Sequence, residues 1–194
     1  VPKFIATDAE QRPETMGKPT LRTRFHIIKG SDESTPFLGF NEFYTMRVLA
    51  RLNVVPVASC QMSDDGKVLV VDRFDVDEHG APCCGVEDAC GLLGLPPHEK
   101  YSPSIERVWK ATRAYIPNNR TRAQSEHLGW QLLANYVVRN ADCHSKNIAL
   151  CYSSRVDVAF TPVYDLVTTQ AYPRFAAGPP ALSVGGRQTW APGR

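Results

Sequence analysis

The sequence predicts an α+β protein in which a β-rich N-terminal part precedes a mainly helical C-terminal part. Strand-like apolar runs with a hairpin signal fill the region up to residue 75, and helical periodicity dominates after residue 86. The chain of 194 residues is 43% hydrophobic and 22% charged, which is enough apolar material for a packed core. We therefore expect a β-rich lobe over residues 1–80 and a mainly helical lobe over residues 81–194.

The β-rich part is predicted from short runs of apolar residues separated by polar turns. Strands are expected at residues 4–7 and 24–29, and the runs at 54–62 and 67–74 flank the hairpin signal Asp64-Asp65-Gly66. Between them, residues 41–52 repeat apolar side chains at helical spacing. Asn41 is expected to be the N-cap of this helix, which would place Glu42 in the first turn, where the helix dipole favours a carboxylate.

The second half is predicted to contain helices at residues 87–93, 104–114 and 125–139. The last of these has the clearest pattern, with an apolar face that we expect to be buried. That face comprises Leu128, Leu132, Leu133, Tyr136 and Val137. Two short strands follow at 148–152 and 156–160, with a turn expected at Ser153-Ser154.

Composition argues against several classes of protein. Lys and Arg number 22 against 20 Asp and Glu, so the net charge of +2 is not typical of a dedicated nucleic-acid binder. No apolar run approaches the roughly 20 residues of a membrane span, and residues 1–4 lack a signal-peptide pattern. The six cysteines do not show paired zinc-ligand spacing. We expect reduced thiols in a cytoplasmic protein that binds neither membranes nor, by itself, nucleic acid.

The segment N-A-D-C-H-S-K-N at residues 140–147 carries the most informative motif. Protein kinases use D-x-x-x-x-N between a helix and a β-hairpin, where the Asp receives the proton of the attacking hydroxyl and the Asn is a Mg²⁺ ligand. Asp142 and Asn147 have this spacing. Alone the motif is also typical of an Asp and an Asn that stabilise a turn.

Two further elements fit the same chemistry. Asp165 follows the predicted hairpin, where a kinase has its second Mg²⁺-binding carboxylate, although an Asp there could also cap a short helix. Lys29 ends a strand and Glu42 lies on the next helix, as in the lysine–glutamate ion pair of kinases. Each of these residues could also have a purely structural role, but together they occur in the same order along the chain as the corresponding residues of kinases.

Longer strings carry a resemblance to the HipA-like serine/threonine kinases, the toxins of bacterial toxin–antitoxin pairs. They are HIIK at 26–29, NE at 41–42, VDRFD at 71–75, ED-x-C-x-x-x-G at 87–94, LP-x-x-x-KY at 95–101, D-x-H-x-KN at 142–147 and TP-x-YD at 161–165. The resemblance implies a two-lobed protein-kinase-like fold that uses ATP and Mg²⁺.

The resemblance also implies a role for each matching residue. Asp142 would be the catalytic base and Lys29, paired with Glu42, the phosphate anchor. Asn147 and Asp165 would bind Mg²⁺. Asp72 and Phe74 would meet the adenine, and Tyr164 would pack against the nucleotide. The family prefers Glu at position 72, and the chain has neither H-R-D nor D-F-G, so control by an ordinary activation loop is not expected.

The expected activity is that of a protein kinase which phosphorylates a protein, such as an aminoacyl-tRNA synthetase, and so arrests growth. A DNA-binding antitoxin is the expected partner. The family's phosphate loop would precede Val1 and further helices would follow Arg194, so we expect the fold to be incomplete at both ends. Two alternatives remain open: a catalytically inactive HipA-like binding module, and a small-molecule phosphotransferase.

Overall fold

In the computed structural model, residues 20–190 are described. The strand predicted at residues 4–7 lies outside this range. The first sheet is antiparallel, with strand order β1-β2-β4-β3. Its strands are β1 (Thr20–Arg22), β2 (His26–Lys29), β3 (Cys60–Met62) and β4 (Leu69–Asp72). A single long helix, α1 (Leu38–Leu52), is inserted between β2 and β3 and packs on this sheet.

Alternation along β4 explains how α1 packs on the sheet. Leu69 and Val71 are buried with Met46 and Leu49 of α1, whereas the intervening Val70 is only half-buried. The hairpin predicted at Asp64-Asp65-Gly66 is present. Gly66 has a φ of 68°, a conformation that favours glycine, and the backbone of Ser63 bonds to Val68 at 2.9 Å.

The prediction that Asn41 caps α1 is wrong. The helix begins at Leu38, so Asn41 and Glu42 lie inside it rather than at its first turn. The Asn41 amide bonds to the backbone of Thr168 in both directions, at 2.8 Å and 2.9 Å. A polar residue near a helix start resembles a cap in sequence, but here its partner is remote in the chain.

The second half of the chain combines a small sheet with three helices. The antiparallel strands β5 (Gly85–Asp88), β6 (Ala149–Ser154) and β7 (Asp157–Phe160) pair in that order. The helices are α2 (Ala89–Leu92), α3 (Ile105–Arg113) and α4 (Thr121–Val137). Their core includes Val108, Leu128, Ile148, Leu150 and Phe160. Ser104 caps α3, as the predicted helix boundary requires.

Several boundaries differ from the sequence prediction, and two of them lie in the second sheet. Glu87 and Asp88 belong to β5, where they pair with Leu150 and Ala149, so the helix expected at 87–93 shrinks to α2. Ser153-Ser154 belongs to β6, and the chain reverses after it. In both places, pairing with another strand outweighs the local preference. β5 pairs with β6, which is distant in the sequence, and the end of β6 pairs with β7, which follows it.

The buried face of α4 also differs from the prediction. His127, Leu128, Gln131 and Asn135 are buried, whereas Leu133 is 49% and Val137 70% exposed. The buried amides bond to backbone carbonyl groups, which offsets the cost of burying them. Within residues 20–190, none of the helices combines the length and apolar character that crossing a membrane requires.

Candidate active site

A buried ion pair joins the first sheet to α1. The amino group of Lys29 donates to Glu42 Oε1 at 2.6 Å, and both side chains are almost inaccessible to solvent. Lys29 is opposite Leu69 in the sheet register, on the face that packs against α1. Because Glu42 lies one turn inside the helix, its side chain reaches this face.

Asp165 links Lys29 to the segment that follows α4. The Lys29 amino group also donates to Asp165 Oδ1, and Asn147 Nδ2 donates to Asp165 Oδ2 at 3.1 Å. The Asp165 side chain is 31% exposed, whereas the Lys29 side chain is only 8% exposed. The carboxylate is therefore held on both sides and still reaches solvent.

The backbone around Asp165 is held in place although it belongs to no helix or strand. Val163 bonds to Pro56 and to Ala58 through its backbone, each at 2.9 Å. Asp165 itself has a φ of 56°, in the left-handed region, and its carbonyl accepts a bond from Asn140 at 3.2 Å. Such a conformation in a non-glycine residue persists only where neighbouring contacts fix it, and it is frequent at functional sites.

Asp142 is oriented from two directions. Its backbone N–H donates to Asn140 Oδ1 at 3.0 Å, and its carboxylate accepts a hydrogen bond from the Tyr101 hydroxyl. Asn140 is 2% exposed, and its amide donates to Asn135 Oδ1 at 2.7 Å. The buried Asn140 amide therefore contacts both the backbone N–H of Asp142 and the backbone carbonyl of Asp165.

The polar face of α4 fixes the other end of the same loop. Gln131 donates to the carbonyl of Asn147 at 2.9 Å, and the Asn147 amide oxygen accepts from the backbone of His144 at 3.1 Å. A carbonyl oxygen has two lone pairs, so this bond leaves the Asn147 oxygen able to bind a cation. The sequence analysis missed this role of α4. The signal was present as amides at positions 131 and 135, one helical turn apart.

His144 is neutral in this loop. Burial lowers the pKa of His144 to about 3, and within residues 20–190 its Nδ1 has no hydrogen-bond partner. Its ring meets the ring of Tyr101 edge-on, with centroids 5.1 Å apart. His144 is therefore a packing element rather than an acid or base near neutral pH.

Of the three residues predicted to meet the nucleotide, the structure brings Phe74 and Tyr164 together and places Asp72 elsewhere. The rings of Phe74 and Tyr164 stack with centroids 6.0 Å apart, and the Tyr164 hydroxyl donates to the Lys146 carbonyl at 2.9 Å. Burial raises the pKa of Tyr164 above its usual value. Asp72 instead faces His26, with 3.5 Å between Oδ1 and Nε2. In the strand register, Asp72 lies on the opposite sheet face from Lys29.

The donor atoms suit a hard cation. Within the described residues, no three His, Cys, Asp or Glu side chains form a metal-binding group. Asp165 and Asn147 nevertheless offer adjacent carboxylate and amide groups. Mg²⁺ commonly takes one or two such protein ligands and completes its shell with phosphates and water. The pair therefore fits a Mg²⁺ ion held together with a phosphorylated ligand.

Comparison with known families identifies the family of the chain. The sequence profile of the HipA-like C-terminal domain matches residues 1–193. The chain belongs to this family. The resemblance inferred from the motifs is thereby confirmed.

Curated relatives of this HipA-like chain carry kinase names. "Putative kinase Y4mE" of Sinorhizobium fredii is 32% identical over 195 residues, covering 97% of this chain and 45% of the relative. A "Putative kinase" of Haemophilus influenzae is 27% identical over 162 residues, covering 76% of this chain and 46% of the relative. The chain thus spans about half the length of the curated relatives it matches.

Solved structures confirm the predicted α+β, protein-kinase-like fold. A chain from the Shewanella oneidensis complex of HipA, HipB and operator DNA superposes with a TM-score of 0.72 at 28% identity. The match covers 85% of this chain and 42% of that one. The Helicobacter pylori proinflammatory kinase CtkA shares the fold, with a TM-score of 0.55 at 15% identity and coverage of 77% and 52%.

Proposed function

We propose that this HipA-like chain is the phosphotransfer part of an ATP- and Mg²⁺-dependent serine/threonine protein kinase. The observation that carries the proposal is the convergence of Lys29, Asn147 and Asp165 through direct hydrogen bonds. A cation beside a carboxylate and an amide is what binding a metal–phosphate ligand requires. The division into a nucleotide-binding lobe at 1–80 and a catalytic lobe at 81–194 is part of this proposal.

Each residue has a distinct role in the proposed reaction. Lys29 would contact the phosphates, and Glu42 would hold the Lys29 amino group in place. Asn147 and Asp165 would hold Mg²⁺, which when bound neutralises phosphate charge. Asp142 would accept the proton of the acceptor hydroxyl as the hydroxyl oxygen attacks the terminal phosphorus of ATP, and the bond from that phosphorus to the bridging oxygen would break so that ADP leaves.

The nucleotide base would lie near the stacked pair Phe74 and Tyr164. These rings pack against the core that also contains Val71 and Val163. They therefore adjoin the segments that carry Lys29 and Asp165. Asp72 would meet the adenine from the end of β4 rather than from the sheet face of Lys29, because its side chain faces His26.

The proposed acceptor is a serine or threonine of a protein, with an aminoacyl-tRNA synthetase as the first candidate and growth arrest as the outcome. The proposed partner is a DNA-binding antitoxin, because the Shewanella relative is described in complex with HipB and operator DNA. The near-balanced net charge of +2 supports DNA contact through such a partner rather than through this chain. A cytoplasmic location belongs to the same proposal.

The decisive experiment measures phosphate transfer from ATP to protein by the gene product that contains this chain. Replacing Asp142 by Ala should lower the transfer rate by roughly two to four orders of magnitude, the usual contribution of general acid–base assistance. ATP affinity should change little, because Asp142 would face the acceptor. Asp157→Ala is the matched control, since Asp157 is half-exposed on β7 and pairs only with groups outside the site.

Other results of this experiment would contradict particular parts of the proposal. Equal transfer rates for wild type and Asp142→Ala would contradict the role of Asp142. A wild-type protein that binds ATP but transfers no phosphate would favour the inactive binding module. Transfer to small acceptors alone would favour the small-molecule phosphotransferase. In a bacterial host, Asp142→Ala should also relieve growth arrest caused by the wild-type protein.

A further inference from the structure

A short segment before α3 is attached to the loop that carries Asp142. The carbonyl of Lys100 accepts two hydrogen bonds from Ser145, one from its backbone N–H at 3.1 Å and one from its hydroxyl at 2.8 Å. Ser145 is completely buried. The position of Lys100 and Tyr101 is therefore tied to this loop and not only to α3.

Tyr101 contacts two residues of the loop with different parts of its side chain. The rings of Tyr101 and His144 meet edge to face, with 76° between the ring planes. The Tyr101 hydroxyl donates to Asp142 Oδ1. On another side, the Lys100 amino group lies 5.3 Å from the Tyr101 ring centroid. These contacts leave the hydroxyl directed at the carboxylate.

We propose that Tyr101 is a positioning residue for phosphoryl transfer, and that its hydroxyl holds the Asp142 carboxylate in the orientation that accepts the proton. The inference rests on the proposed function. A carboxylate on a loop turns freely unless a donor fixes it, and small misorientation of a catalytic group is costly. A rigid aromatic side chain anchored through Lys100 and His144 provides such a donor.

The ring and the hydroxyl of Tyr101 have separable roles. Tyr101→Phe keeps the ring beside His144 and removes only the hydroxyl bond to Asp142. The packing contribution therefore stays, and the change in activity reports the hydrogen bond. Tyr115→Phe is the matched control, because Tyr115 is 56% exposed just after α3 and lies outside the site.

The test compares steady-state transfer by wild type, Tyr101→Phe and Tyr115→Phe, each as the full gene product. Tyr101→Phe should lower kcat by about 10- to 100-fold, the usual effect of losing a hydrogen bond to a charged group, with little change in the KM for ATP. The acidic limb of its pH–rate profile should move to higher pH, because the charged carboxylate loses a stabilising donor. Tyr115→Phe should match wild type in both measurements.

A double-mutant cycle keeps the inference testable if Tyr101→Phe also lowers stability. In an Asp142→Ala background, Tyr101→Phe should have no further effect on the residual rate, because its effect acts through Asp142. The full 10- to 100-fold loss in that background would overturn the positioning role. An unchanged kcat and pH profile in Tyr101→Phe alone would also overturn the positioning role. That result would not contradict the proposed kinase activity. A wild-type protein without transfer activity would overturn the proposed function and this inference together.

Discussion

Lys29 and Asp165 lie 136 positions apart in the chain and form a direct ion pair. Lys29 comes from the first sheet, whereas Asp165 follows the second sheet. The pair therefore connects the two halves of the chain at the candidate site. Both residues have a further polar partner, Glu42 for Lys29 and Asn147 for Asp165.

Removal of the Asp165 charge should abolish the effect of Mg²⁺ on ATP binding. We expect wild-type affinity for ATP to fall when Mg²⁺ is removed by chelation. Asp165→Asn should bind ATP about 10- to 100-fold more weakly than wild type with Mg²⁺ present, a typical cost of losing a charged contact. Isothermal titration calorimetry with and without Mg²⁺ checks this. Lys67→Met is the control, because Lys67 is exposed in the hairpin turn. Equal wild-type affinity under both conditions would contradict the metal site.

Removal of the Glu42 charge should destabilise the fold. Glu42 is completely buried, and among residues 20–190 Asp165 would remain as the charged partner of Lys29. Leaving a buried charge partly uncompensated commonly costs about 3 kcal/mol or more, so Glu42→Gln should lower the free energy of unfolding by about 3 kcal/mol. Urea denaturation measures the difference. The control Glu126→Gln, at an exposed pair with Arg122, should change stability by less than about 0.5 kcal/mol. Similar small losses of unfolding free energy in both variants would show that the Lys29–Glu42 pair is not needed for stability.

Removal of the Asn140 amide should affect stability and the site together. Asn140→Leu has a similar volume but leaves the partners of three hydrogen bonds unsatisfied, at Asn135, Asp142 and Asp165. We expect the free energy of unfolding to fall by about 2–4 kcal/mol. Asn118→Ala, at an exposed position after α3, should stay within about 0.5 kcal/mol of wild type. Chemical denaturation followed by fluorescence tests both variants. An unchanged free energy of unfolding in Asn140→Leu would show that these hydrogen bonds do not stabilise the fold.

His127 should make the protein less stable as the pH falls below about 6.5, the usual His value. Burial beside Phe160 lowers the pKa of His127 and outweighs a bond with the backbone of Thr161. Below the unfolded pKa, the unfolded state binds a proton that the folded state excludes, so stability is lost as pH falls toward the folded value. The free energy of unfolding therefore falls by at most about 1.4 kcal/mol per pH unit from this group.

The measurement is the free energy of unfolding at pH 7.0 and pH 5.0. Between these values, His127→Gln should lose less stability than wild type, because it lacks the group whose protonation favours the unfolded state. His79→Gln should behave as wild type, because its side chain is 80% exposed. Parallel pH dependence in His127→Gln and wild type would mean that His127 is protonated as easily in the folded state as in the unfolded one.

Local patterns explain the elements that were predicted correctly. The strand β4, the hairpin turn at Asp64-Asp65-Gly66 and the helix α3 depend on residues within a few positions of one another. The motif from Asp142 to Asn147 is equally local, because one loop supplies both side chains. The kinase order of elements added Lys29, Glu42 and Asp165 to the predicted site, and the family resemblance added Asp72, Phe74 and Tyr164; these roles stay predictions.

Contacts between remote segments explain the errors. Asn41 has the sequence context of a cap, yet its partner is Thr168. Leu133 and Val137 continue the apolar pattern of α4, but the buried face of that helix is the one that bonds to the Asn147 carbonyl through Gln131. The buried face of a helix is the face that contacts neighbouring segments, and for α4 the neighbouring segment is a polar loop.

The sequence by itself determined α1, α3, α4 and most of the strands, the family and the types of residue available for chemistry, whereas β1 and β5 were not predicted. The tertiary structure alone decided that Lys29 reaches both Glu42 and Asp165, that Asp72 faces away from Lys29, and that Tyr101 donates to Asp142. Strand register set the face of Lys29 and Asp72, and the Lys100–Ser145 bonds set the position of Tyr101. A hydrogen bond depends on distance and direction in space, and neither is encoded in the spacing of remote residues along the chain.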